Sequence, residues 1–300
     1  MIKTIRIGTR DSQLALWQAE FVAGELQHRG IACEIHTVKS EGDINLTTPL
    51  YQMGIQGIFT KTLDIALLDG RIDIAVHSYK DVPTALPAGL IIAAVPQRGK
   101  WTDTLVSYKP IEPEAFSNEK KIVATGSIRR KAQWLHTYPN HEIVPLRGNV
   151  ITRLEKLLRN NWDAAIFATA GLQRLNAQGF YSLELASLPA PGQGALAVVA
   201  RKGDESILEK LKQLHHPETA FCVSLEKAFL KTLEGGCSSP IACLASRKEN
   251  QYTFKGELYD PNNPQERLYT EFTFVDPDVG QRQVQEAATK LLEKKKSGKQ

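Results

Sequence analysis

Apolar and polar positions in the first hundred residues switch between the spacing of strands and the spacing of helices. Strand-like runs are predicted at 2–7, 32–38, 72–76 and 90–95, and helices between Ser12 and Gly30 and at 58–69. Ser12 is the predicted N-cap of the first helix, in which Leu14, Trp17, Phe21 and Leu26 follow helical spacing. Alternation of this kind is typical of an α/β layer architecture.

The pattern restarts after a break at residues 96–100. It predicts strands at 121–125, 142–146 and 163–168, and helices at 127–136 and 149–159. A second break, rich in proline and glycine, covers residues 188–194. The apolar run 195–200 follows it and fits a strand that returns to the first domain, which would make that domain discontinuous.

The C-terminal part changes to an α+β pattern. A helix is predicted at 218–233, then strands at 240–246, 251–258 and 267–275, and a last helix from 278. The predicted fold class is α/β, with two α/β domains and a small α+β C-terminal domain that holds a three-stranded antiparallel sheet. The predicted domains are residues 1–98 with 195–216, residues 102–191, and residues 217–300.

Charge is distributed unevenly along the chain. The 37 lysines and arginines against 33 aspartates and glutamates give a net charge of +4, and the segment 290–300 (KLLEKKKSGKQ) carries that whole excess. The remainder is neutral, which argues against a protein that binds nucleic acid through its phosphates. The lysine-rich tail is interpreted as a solvated helix end.

Composition narrows the class further. With 42% hydrophobic and 23% charged residues the chain is ordinary for a globular protein, so disorder throughout is excluded. There is no run of about 18 apolar residues and no secretory signal, so we expect a cytoplasmic protein without a membrane partner. No C-x-x-C pair occurs among the four cysteines, so no metal site is expected; they are Cys33, Cys222, Cys237 and Cys243.

Basic residues are concentrated in the second predicted domain, where the segment 121–174 holds nine basic and three acidic residues. Those that follow or flank predicted strand ends are Arg129, Arg130, Arg147, Arg153 and Arg174. Ligands of open α/β sheets bind at the carboxyl ends of strands, and arginine suits bidentate contacts with carboxylates or phosphates. Two interpretations stay open: an anion site, or a set of solvated surface arginines.

Two turns of the first predicted domain hold further candidates. Lys80 and Asp81 follow the strand at 72–76, and Arg10 and Ser12 follow the first strand. Asp81 is a candidate acid, base or stabiliser of a cation; the alternative is a turn aspartate before a proline. For Ser12 the alternative is a helix cap, which is compatible with ligand contact.

The loop Glu234-Gly235-Gly236-Cys237-Ser238-Ser239-Pro240 places a cysteine beside two glycines. Glycines permit a tight turn, and a loop thiol is more accessible than a core thiol. Cys237 is therefore a candidate nucleophile or covalent attachment point, or else a structural thiol. Motifs of nucleotide-binding loops, dinucleotide-binding folds, serine hydrolases and zinc proteases do not occur in the sequence.

Seven motifs in order over about residues 5–245 give the chain a specific resemblance. They are Thr9-Arg10-x-Ser12-x-Leu14-Ala15-Leu16-Trp17-Gln18, His77-Ser78-x-Lys80-Asp81-Val82-Pro83, Arg129-Arg130, Leu146-Arg147-Gly148-Asn149-Val150-x-Thr152-Arg153-Leu154, Ala168-Thr169-Ala170-Gly171-Leu172-x-Arg174-Leu175, Gly192-Gln193-Gly194-Ala195 and Leu233-Glu234-Gly235-Gly236-Cys237. Together they resemble the porphobilinogen deaminases, also called hydroxymethylbilane synthases.

The resemblance implies three domains, the first two similar to type II periplasmic binding proteins. It implies a dipyrromethane cofactor bound by a thioether to Cys237. It also implies an enzyme that condenses four porphobilinogens head to tail, releases ammonia each time, and hydrolyses off the linear hydroxymethylbilane while it keeps the cofactor. Each pyrrole carries an acetate and a propionate, so the growing chain is a polyanion that suits an arginine-lined cleft.

The same resemblance assigns roles to residues. Asp81 would stabilise the cationic azafulvene that forms when ammonia leaves, and would assist proton transfer. Contacts with the carboxylates of substrate or cofactor would come from Arg10, Ser12, Lys80, Arg129, Arg130, Arg147, Arg153 and Arg174. Gln18 would line the cleft, and Thr125 and Ser127 would contribute to binding cofactor or substrate.

Three positions depart from the usual family pattern. Gln56 stands where a lysine is common, Thr62 where a glutamate is common, and Gly126 where the first of two serines is usual. These departures predict weaker cofactor contacts and leave Asp81 and Cys237 in place.

Two other functions compete with the transferase. One is a non-catalytic two-lobed binding protein for a small carboxylate ligand, and the other, less supported, is a transcriptional effector module, although no helix-turn-helix accompanies it. The expected partner is porphobilinogen alone, with neither nucleic acid nor membrane. We expect a monomer that hands its product to the next enzyme of the pathway.

Overall fold

The structure is a computed structural model that describes residues 4–38, 60–233 and 240–297. The strands of this part are β1 (Ile5–Thr9), β2 (Cys33–Thr37), β3 (Ile74–Ser78), β4 (Leu90–Ala94), β5 (Asp103–Ser107), β6 (Ile122–Ala124), β7 (Glu142–Val144), β8 (Ala164–Ala168), β9 (Tyr181–Leu185), β10 (Leu196–Arg201), β11 (Ile241–Lys248), β12 (Gln251–Tyr259) and β13 (Arg267–Phe274).

The helices of the described residues connect and flank these strands. They are α1 (Gln13–Gln27), α2 (Lys61–Leu68), α3 (Pro113–Asn118), α4 (Ile128–Thr137), α5 (Val150–Arg159), α6 (Thr169–Arg174), α7 (Glu205–Leu211), α8 (Pro217–Leu233) and α9 (Pro277–Ser297). Single 3-10 turns occupy Tyr79–Asp81 and Lys212–Leu214. Of the helices in this part of the chain, none combines the length and apolar content needed to cross a membrane.

The chain forms two compact units. The first comprises Met1–Lys100, Gln173–Asn176 and Gln193–Ala220, and the second comprises Trp101–Leu172, Ala177–Gly192 and Phe221–Gln300. The C-terminal strands thus belong to the second unit. The three domain boundaries drawn from the sequence stay a prediction.

The sheet of the first unit has the order β2-β1-β3-β10-β4. β1 is parallel to β2 and β3, whereas β10 is antiparallel to β3 and β4. The apolar run predicted at 195–200 is this β10, which returns to the sheet from far along the chain. The core of the first unit joins these strands to α1 and α7 through Ile5, Ile7, Val22, Val198 and Leu211.

The second unit holds a sheet with the order β7-β6-β8-β5-β9. β6 is parallel to β7 and β8, and β5 is antiparallel to β8 and β9. Both five-stranded sheets therefore share one arrangement, in which three parallel strands are followed by an antiparallel strand from a distant segment and then by an edge strand.

The C-terminal strands form the antiparallel sheet β11-β12-β13. Phe229 of α8 and Val284 of α9 are buried against it together with Phe254. A Cβ on Gly256 of β12 would lie 2.6 Å from the ring of Phe229, so the helix approaches the sheet closely because this residue is glycine. The predicted fold class, two α/β sheets and a three-stranded antiparallel sheet, is confirmed.

The buried face of α1 consists mainly of small apolar residues. Ala15, Ala19, Val22 and Leu26 are buried, whereas Phe21 is 38% exposed and stacks on the half-buried Trp17 with ring centroids 5.6 Å apart. Small alanines allow a helix to lie close to a sheet, so the large side chains are turned away from it. Of the four apolar residues with helical spacing, only Leu26 is buried.

Some strands were displaced or missed. The strand predicted at 72–76 is β3, two residues later, because the Asp73 carboxylate accepts hydrogen bonds from the backbone and side chain of Arg6 before the strand begins. β5 was missed because its sequence, DTLVS, lacks an apolar run, although all five residues are buried. β9 was missed because it is an exposed edge strand.

Candidate active site

The carboxyl ends of β1 and β3 bring together the candidates of the first unit. These parallel strands are neighbours in the sheet, so the residues that follow them lie at one edge. Arg10 and Ser12 follow β1, and Lys80 and Asp81 belong to the 3-10 turn after β3. The sequence placed these four residues at strand ends, and the structure places them at the same sheet edge.

Ser12 and Gln18 hold α1 at this edge. The hydroxyl of Ser12 accepts a hydrogen bond from the backbone N–H of Ala15 at 3.4 Å, as the predicted N-cap. Gln18 is buried, and its Nε2 donates to the Ser78 hydroxyl at 2.8 Å. Gln18 therefore ties the helix to the end of β3.

Asp81 is exposed on a turn that the fold anchors firmly. Tyr79 is buried and its N–H donates to the carbonyl of Ala195, just before β10. Lys80 Nζ lies 3.5 Å from Oε1 of the buried Gln193, and Arg98 Nε donates to the Gln193 carbonyl at 2.9 Å. The carboxylate of Asp81 is thus accessible to a ligand while its backbone is fixed.

His77 lies within β3, shortly before this 3-10 turn in the sequence. Burial, reinforced by the positive charge of Arg10, lowers the pKa of His77 from its ordinary 6.5 to about 4. Its Nε2 is buried without a hydrogen-bond partner among residues 4–38, 60–233 and 240–297. His77 is consequently a neutral imidazole at pH 7.

Arg174 belongs by its contacts to the first unit. Its Nη2 donates to the Gly194 carbonyl at 2.7 Å, and its guanidinium lies 5.4 Å from the centroid of the Trp17 ring. Burial lowers its pKa to about 10, so Arg174 stays charged at neutral pH. The cation over the indole face explains why Trp17 lies outside the apolar core.

Position 194 requires a glycine. Its φ is +87°, and a Cβ would lie 2.7 Å from the Lys100 carbonyl oxygen. The two chain breaks that the sequence indicated, near residues 99 and 194, therefore lie in direct contact.

In the second unit the candidates follow β6 and β7. Thr125 Oγ1 accepts the backbone N–H of Ser127 at 3.2 Å, and the Ser127 hydroxyl caps α4 by accepting the N–H of Arg130 at 3.4 Å. These two hydroxyls shape the turn from which Arg129 and Arg130 emerge.

Arg129 and Arg130 are both buried, and they share the carboxylate of Asp103. Arg129 Nη1 donates to Oδ2 at 2.7 Å, and Arg130 donates to Oδ1 through Nη2 at 2.7 Å and Nε at 3.1 Å. Asp103 is the first residue of β5 and pairs with Ala168 at the carboxyl end of β8. It therefore lies at the same sheet edge as the arginines.

The electrostatics of this cluster favour a charged carboxylate. Burial alone would raise the pKa of Asp103, but the charges and hydrogen bonds of Arg129 and Arg130 outweigh it and hold that pKa well below its ordinary value. Two buried cations share one buried anion, so the cluster carries a net positive charge. Arg129 Nε is buried without a hydrogen-bond partner in the part of the chain that the structure describes.

The turn after β7 is held by α5. Arg153 Nε donates to the Gly148 carbonyl at 2.7 Å, and Lys156 Nζ donates to the carbonyl of Arg147 at 3.0 Å. Gly148 has a φ of +115°, which favours glycine. Burial lowers the pKa of Arg147.

Two residues that sequence reasoning missed organise this edge, namely Asp103 and Gln133. Gln133 Oε1 accepts a bond from Arg129 Nη1 at 2.8 Å. The signals were weak: an acid shortly after a break, and a glutamine four residues after Arg129 on a helix.

Two of the three departures from the family pattern lie in the described part of the chain. Thr62 lies in the first turn of α2, whereas Gln56 lies outside the described residues. A Cβ on Gly126 would clash with the carbonyl oxygen of Leu146, so this backbone leaves no room for the usual serine. Cys237 also lies outside the described residues; the described chain ends on the buried Leu233 before it and resumes after it at the buried strand β11.

The fold and the side chains at the two sheet edges define an α/β protein whose buried guanidinium groups suit acidic ligands. In the described part of the chain, no group of three or more histidine, cysteine, aspartate or glutamate side chains could hold a metal ion. Sequence comparison gives the family. The family model "Porphobilinogen deaminase, dipyromethane cofactor binding domain" matches residues 5–209, and "Porphobilinogen deaminase, C-terminal domain" matches residues 220–295.

Curated relatives agree with these models. A porphobilinogen deaminase of Moorella thermoacetica is 44% identical over 261 residues, covering 84% of this chain and 82% of the relative. One from Syntrophotalea carbinolica is 43% identical, covering 84% and 81%. The chain belongs to the porphobilinogen deaminase family. The predicted enzyme class is thereby confirmed, and the binding-protein alternative has no support among these matches.

Solved structures were also compared. An ancestral cationic amino acid solute binding protein aligns with a TM-score of 0.45 at 16% identity, covering 70% of this chain and 88% of that one. The periplasmic VFT2 domain of Bordetella pertussis BvgS gives 0.43 at 15%, covering 70% and 86%. Identity and TM-score are low, so family membership rests on the sequence matches.

Proposed function

We propose that the chain condenses four molecules of porphobilinogen head to tail, releases one ammonia at each step, and hydrolyses off hydroxymethylbilane. Family membership supports this transferase activity in porphyrin biosynthesis. The structural observation that carries the proposal is the buried cluster in which Arg129 and Arg130 share Asp103. Its excess positive charge suits a ligand that brings carboxylates.

The arginines and their neighbours act as the binding part of the site. Each pyrrole carries an acetate and a propionate, and a guanidinium can hold a carboxylate through two parallel hydrogen bonds. The residues proposed to contact ligand carboxylates, the arginines through their guanidinium groups and the others through an ammonium or hydroxyl group, are Arg10, Ser12, Lys80, Thr125, Ser127, Arg129, Arg130, Arg147, Arg153 and Arg174. Gln18 supports the first-unit edge through Ser78.

Asp81 is proposed as the catalytic residue. Loss of ammonia leaves positive charge on the pyrrole and its methylene carbon, and a fixed carboxylate lowers the energy of that charge. The same carboxylate can accept the proton that the pyrrole loses when the new carbon–carbon bond is complete. An exposed side chain on an anchored turn meets both requirements.

The residues present fit a dipyrromethane, because its four acidic side chains match the guanidinium groups and the buried, unpartnered Nε of Arg129. When bound, that group supplies the pyrrole carbon to which the first substrate is joined. We propose that Cys237 holds it through a thioether, and that Arg129 and Arg130 hold its carboxylates.

The mass of the intact protein tests this proposal. Freshly purified chain should weigh more than its polypeptide by two linked pyrrole units, and the adduct should be absent from Cys237→Ala. Cys33→Ala is the matched control, because Cys33 is a half-buried thiol of the first unit and should leave the adduct in place. A native chain without added mass that leaves porphobilinogen unconsumed would contradict the proposal.

We further propose a cytoplasmic monomer that passes its product to the next enzyme of the pathway. The described cysteines Cys33, Cys222 and Cys243 are thiols and not disulfides, which supports a reducing compartment. Sedimentation of the purified protein at working concentration tests the oligomeric state, and a dimer would contradict it.

A further inference from the structure

The amide of Gln133 joins two charged groups that come from distant parts of the second unit. Its Oε1 accepts from Arg129 Nη1 at 2.8 Å, and its Nε2 donates to Glu257 Oε2 at 3.0 Å. The amide orientation is dictated by its neighbours, because the reverse orientation would set NH2 against a guanidinium and oxygen against a carboxylate.

The carbonyl of Leu188 completes the arrangement. It accepts from Arg129 Nη1 at 3.0 Å and from Gln133 Nε2 at 2.9 Å. Arg129 Nη1 thus faces three acceptors, those of Asp103, Gln133 and Leu188. Its position is set by a network in which Nη1 of Arg129 and both polar atoms of the Gln133 amide are hydrogen-bonded.

Glu257 belongs to β12 of the C-terminal sheet and is itself held in place. Its carboxylate accepts a hydrogen bond from Tyr259 Oη at 3.1 Å and forms an ion pair with Arg267, whose Nη2 lies 2.7 Å from Oε1; the Glu257 side chain is 8% exposed. Burial and the negative charge of Glu257 raise the pKa of Tyr259, so the phenol remains a donor. Glu257 is therefore a fixed acceptor for Gln133.

The turn between β12 and β13 also contacts α4 further along the helix. Gln265 Nε2 donates to the carbonyl of Leu135 at 2.8 Å, and His136 Nδ1 lies 3.1 Å from the carbonyl of Pro264. These bonds involve the helix but have no contact with Arg129. Substitutions that remove these bonds therefore distinguish a general effect of docking the C-terminal sheet on α4 from a specific effect of the link through Gln133.

We propose that Gln133 and Glu257 are positioning residues for the porphobilinogen deaminase reaction. Through them the C-terminal sheet fixes the guanidinium of Arg129, which leaves its Nε side available for a carboxylate of substrate or cofactor. The inference rests on the proposed function, which makes Arg129 a ligand contact. It gives the C-terminal sheet a part in ligand binding besides its connection to the Cys237 loop.

A double-mutant cycle on the full-length protein tests the inference. Gln133→Leu should raise KM for porphobilinogen about tenfold, because a hydrogen bond to a charged group is lost, with a smaller change in kcat. In the background of Arg129→Leu, the same substitution should change KM less than about twofold. Additive effects of the two substitutions would overturn the inference.

Gln265→Leu is the matched control, since it removes a glutamine bond between the β12–β13 turn and α4 and should leave KM unchanged. Glu257→Gln keeps the shape of the side chain in case Gln133→Leu folds poorly, and should raise KM about threefold. It should also shift the NMR signal of the Arg129 Nε–H, identified by its absence in Arg129→Lys. An unmoved signal or an equal effect of Gln265→Leu would overturn the inference.

Failure of the inference and failure of the proposed function are distinguishable. If Arg129→Leu raises KM while Gln133→Leu and Glu257→Gln do not, Arg129 binds ligand without this support and only the inference fails. If Arg129→Leu changes neither KM nor the cofactor content measured by mass, the proposed role of Arg129 fails and the inference with it.

Discussion

The two five-stranded sheets have the same strand order, yet their candidate edges differ in how charge is handled. The first unit presents Asp81 to solvent on an anchored turn, supported by hydroxyl and amide contacts such as Gln18–Ser78. The second unit buries two guanidinium groups around Asp103. The same strand order therefore supports an accessible carboxylate at the sheet edge of the first unit and a buried cationic cluster at the sheet edge of the second unit.

This difference assigns separate requirements to the two edges. An exposed carboxylate can be removed with little loss of packing, so its contribution is to chemistry. A buried ion cluster is coupled to folding, because removal of one partner leaves uncompensated charge in a low-dielectric environment. Substitutions at the edge of the first unit should consequently change activity with little effect on stability. Substitutions at the edge of the second unit should change both.

The largest effect is expected for Asp81→Ala. Turnover of porphobilinogen should fall about a thousandfold, within the range for loss of a positioned acid–base group. The free energy of unfolding in urea should change by less than about 0.5 kcal/mol, as for other exposed sites. Asp69→Ala, at another exposed aspartate of the first unit, is the control and should leave turnover unchanged. Near-normal activity of Asp81→Ala would remove this residue from the mechanism.

Asp103→Ala should lower the free energy of unfolding by about 3–5 kcal/mol, because it leaves Arg129 and Arg130 buried without their carboxylate. Urea unfolding at pH 7 measures the change. Asp163→Ala is the control in the same unit: its carboxylate accepts the backbone N–H of Ile122, and its loss should cost about 1 kcal/mol. Equal losses in the two variants would mean that the guanidinium pairing does not set the stability of this edge.

Acid should weaken the packing around His77 in β3 before it weakens the ion cluster at Asp103. Unfolded His77 takes up a proton below its ordinary pKa of 6.5, whereas folded His77 does so only near 4. Stability is therefore lost as pH falls from 6.5 to 4, by about 3 kcal/mol. The folded pKa of Asp103 lies below its ordinary 3.8, so its contribution is present above pH 3.8 and is lost only in stronger acid.

Hydrogen exchange at pH 7 and pH 4.5, corrected for intrinsic rates, measures this order through the amides of β3 and β5. His77→Asn should flatten the pH dependence of β3. Earlier loss of protection in β5 would reverse the predicted order.

The smallest effects are expected at the helix caps, which offer one matched serine in each unit. Ser12→Ala and Ser127→Ala should each cost about 1 kcal/mol of stability through loss of the cap. Both should also raise KM if the hydroxyls bind ligand. Asn149→Ala, which removes the cap of α5, is the control and should lower stability with KM unchanged. A KM that stays constant in both serine variants would leave these residues as caps alone.

Local patterns predicted most helices and strands and placed the candidate residues at strand ends. This worked because helix and strand periodicities and cap residues are short-range properties of the chain. The family resemblance, carried by contiguous motifs, was accessible for the same reason. Polar β5 and exposed β9 were missed because their positions depend on neighbouring strands.

The sequence by itself determined the alternating elements, the family, and the concentration of arginines after strands. The tertiary structure alone decided the partners of these groups. Asp103 meets Arg129 and Arg130 across 26 and 27 residues, and Glu257 meets Gln133 across 124. Such pairings follow from packing and from the need to match buried charge, which no local periodicity records. The buried face of α1 was decided likewise, because close approach to the sheet favours its alanines.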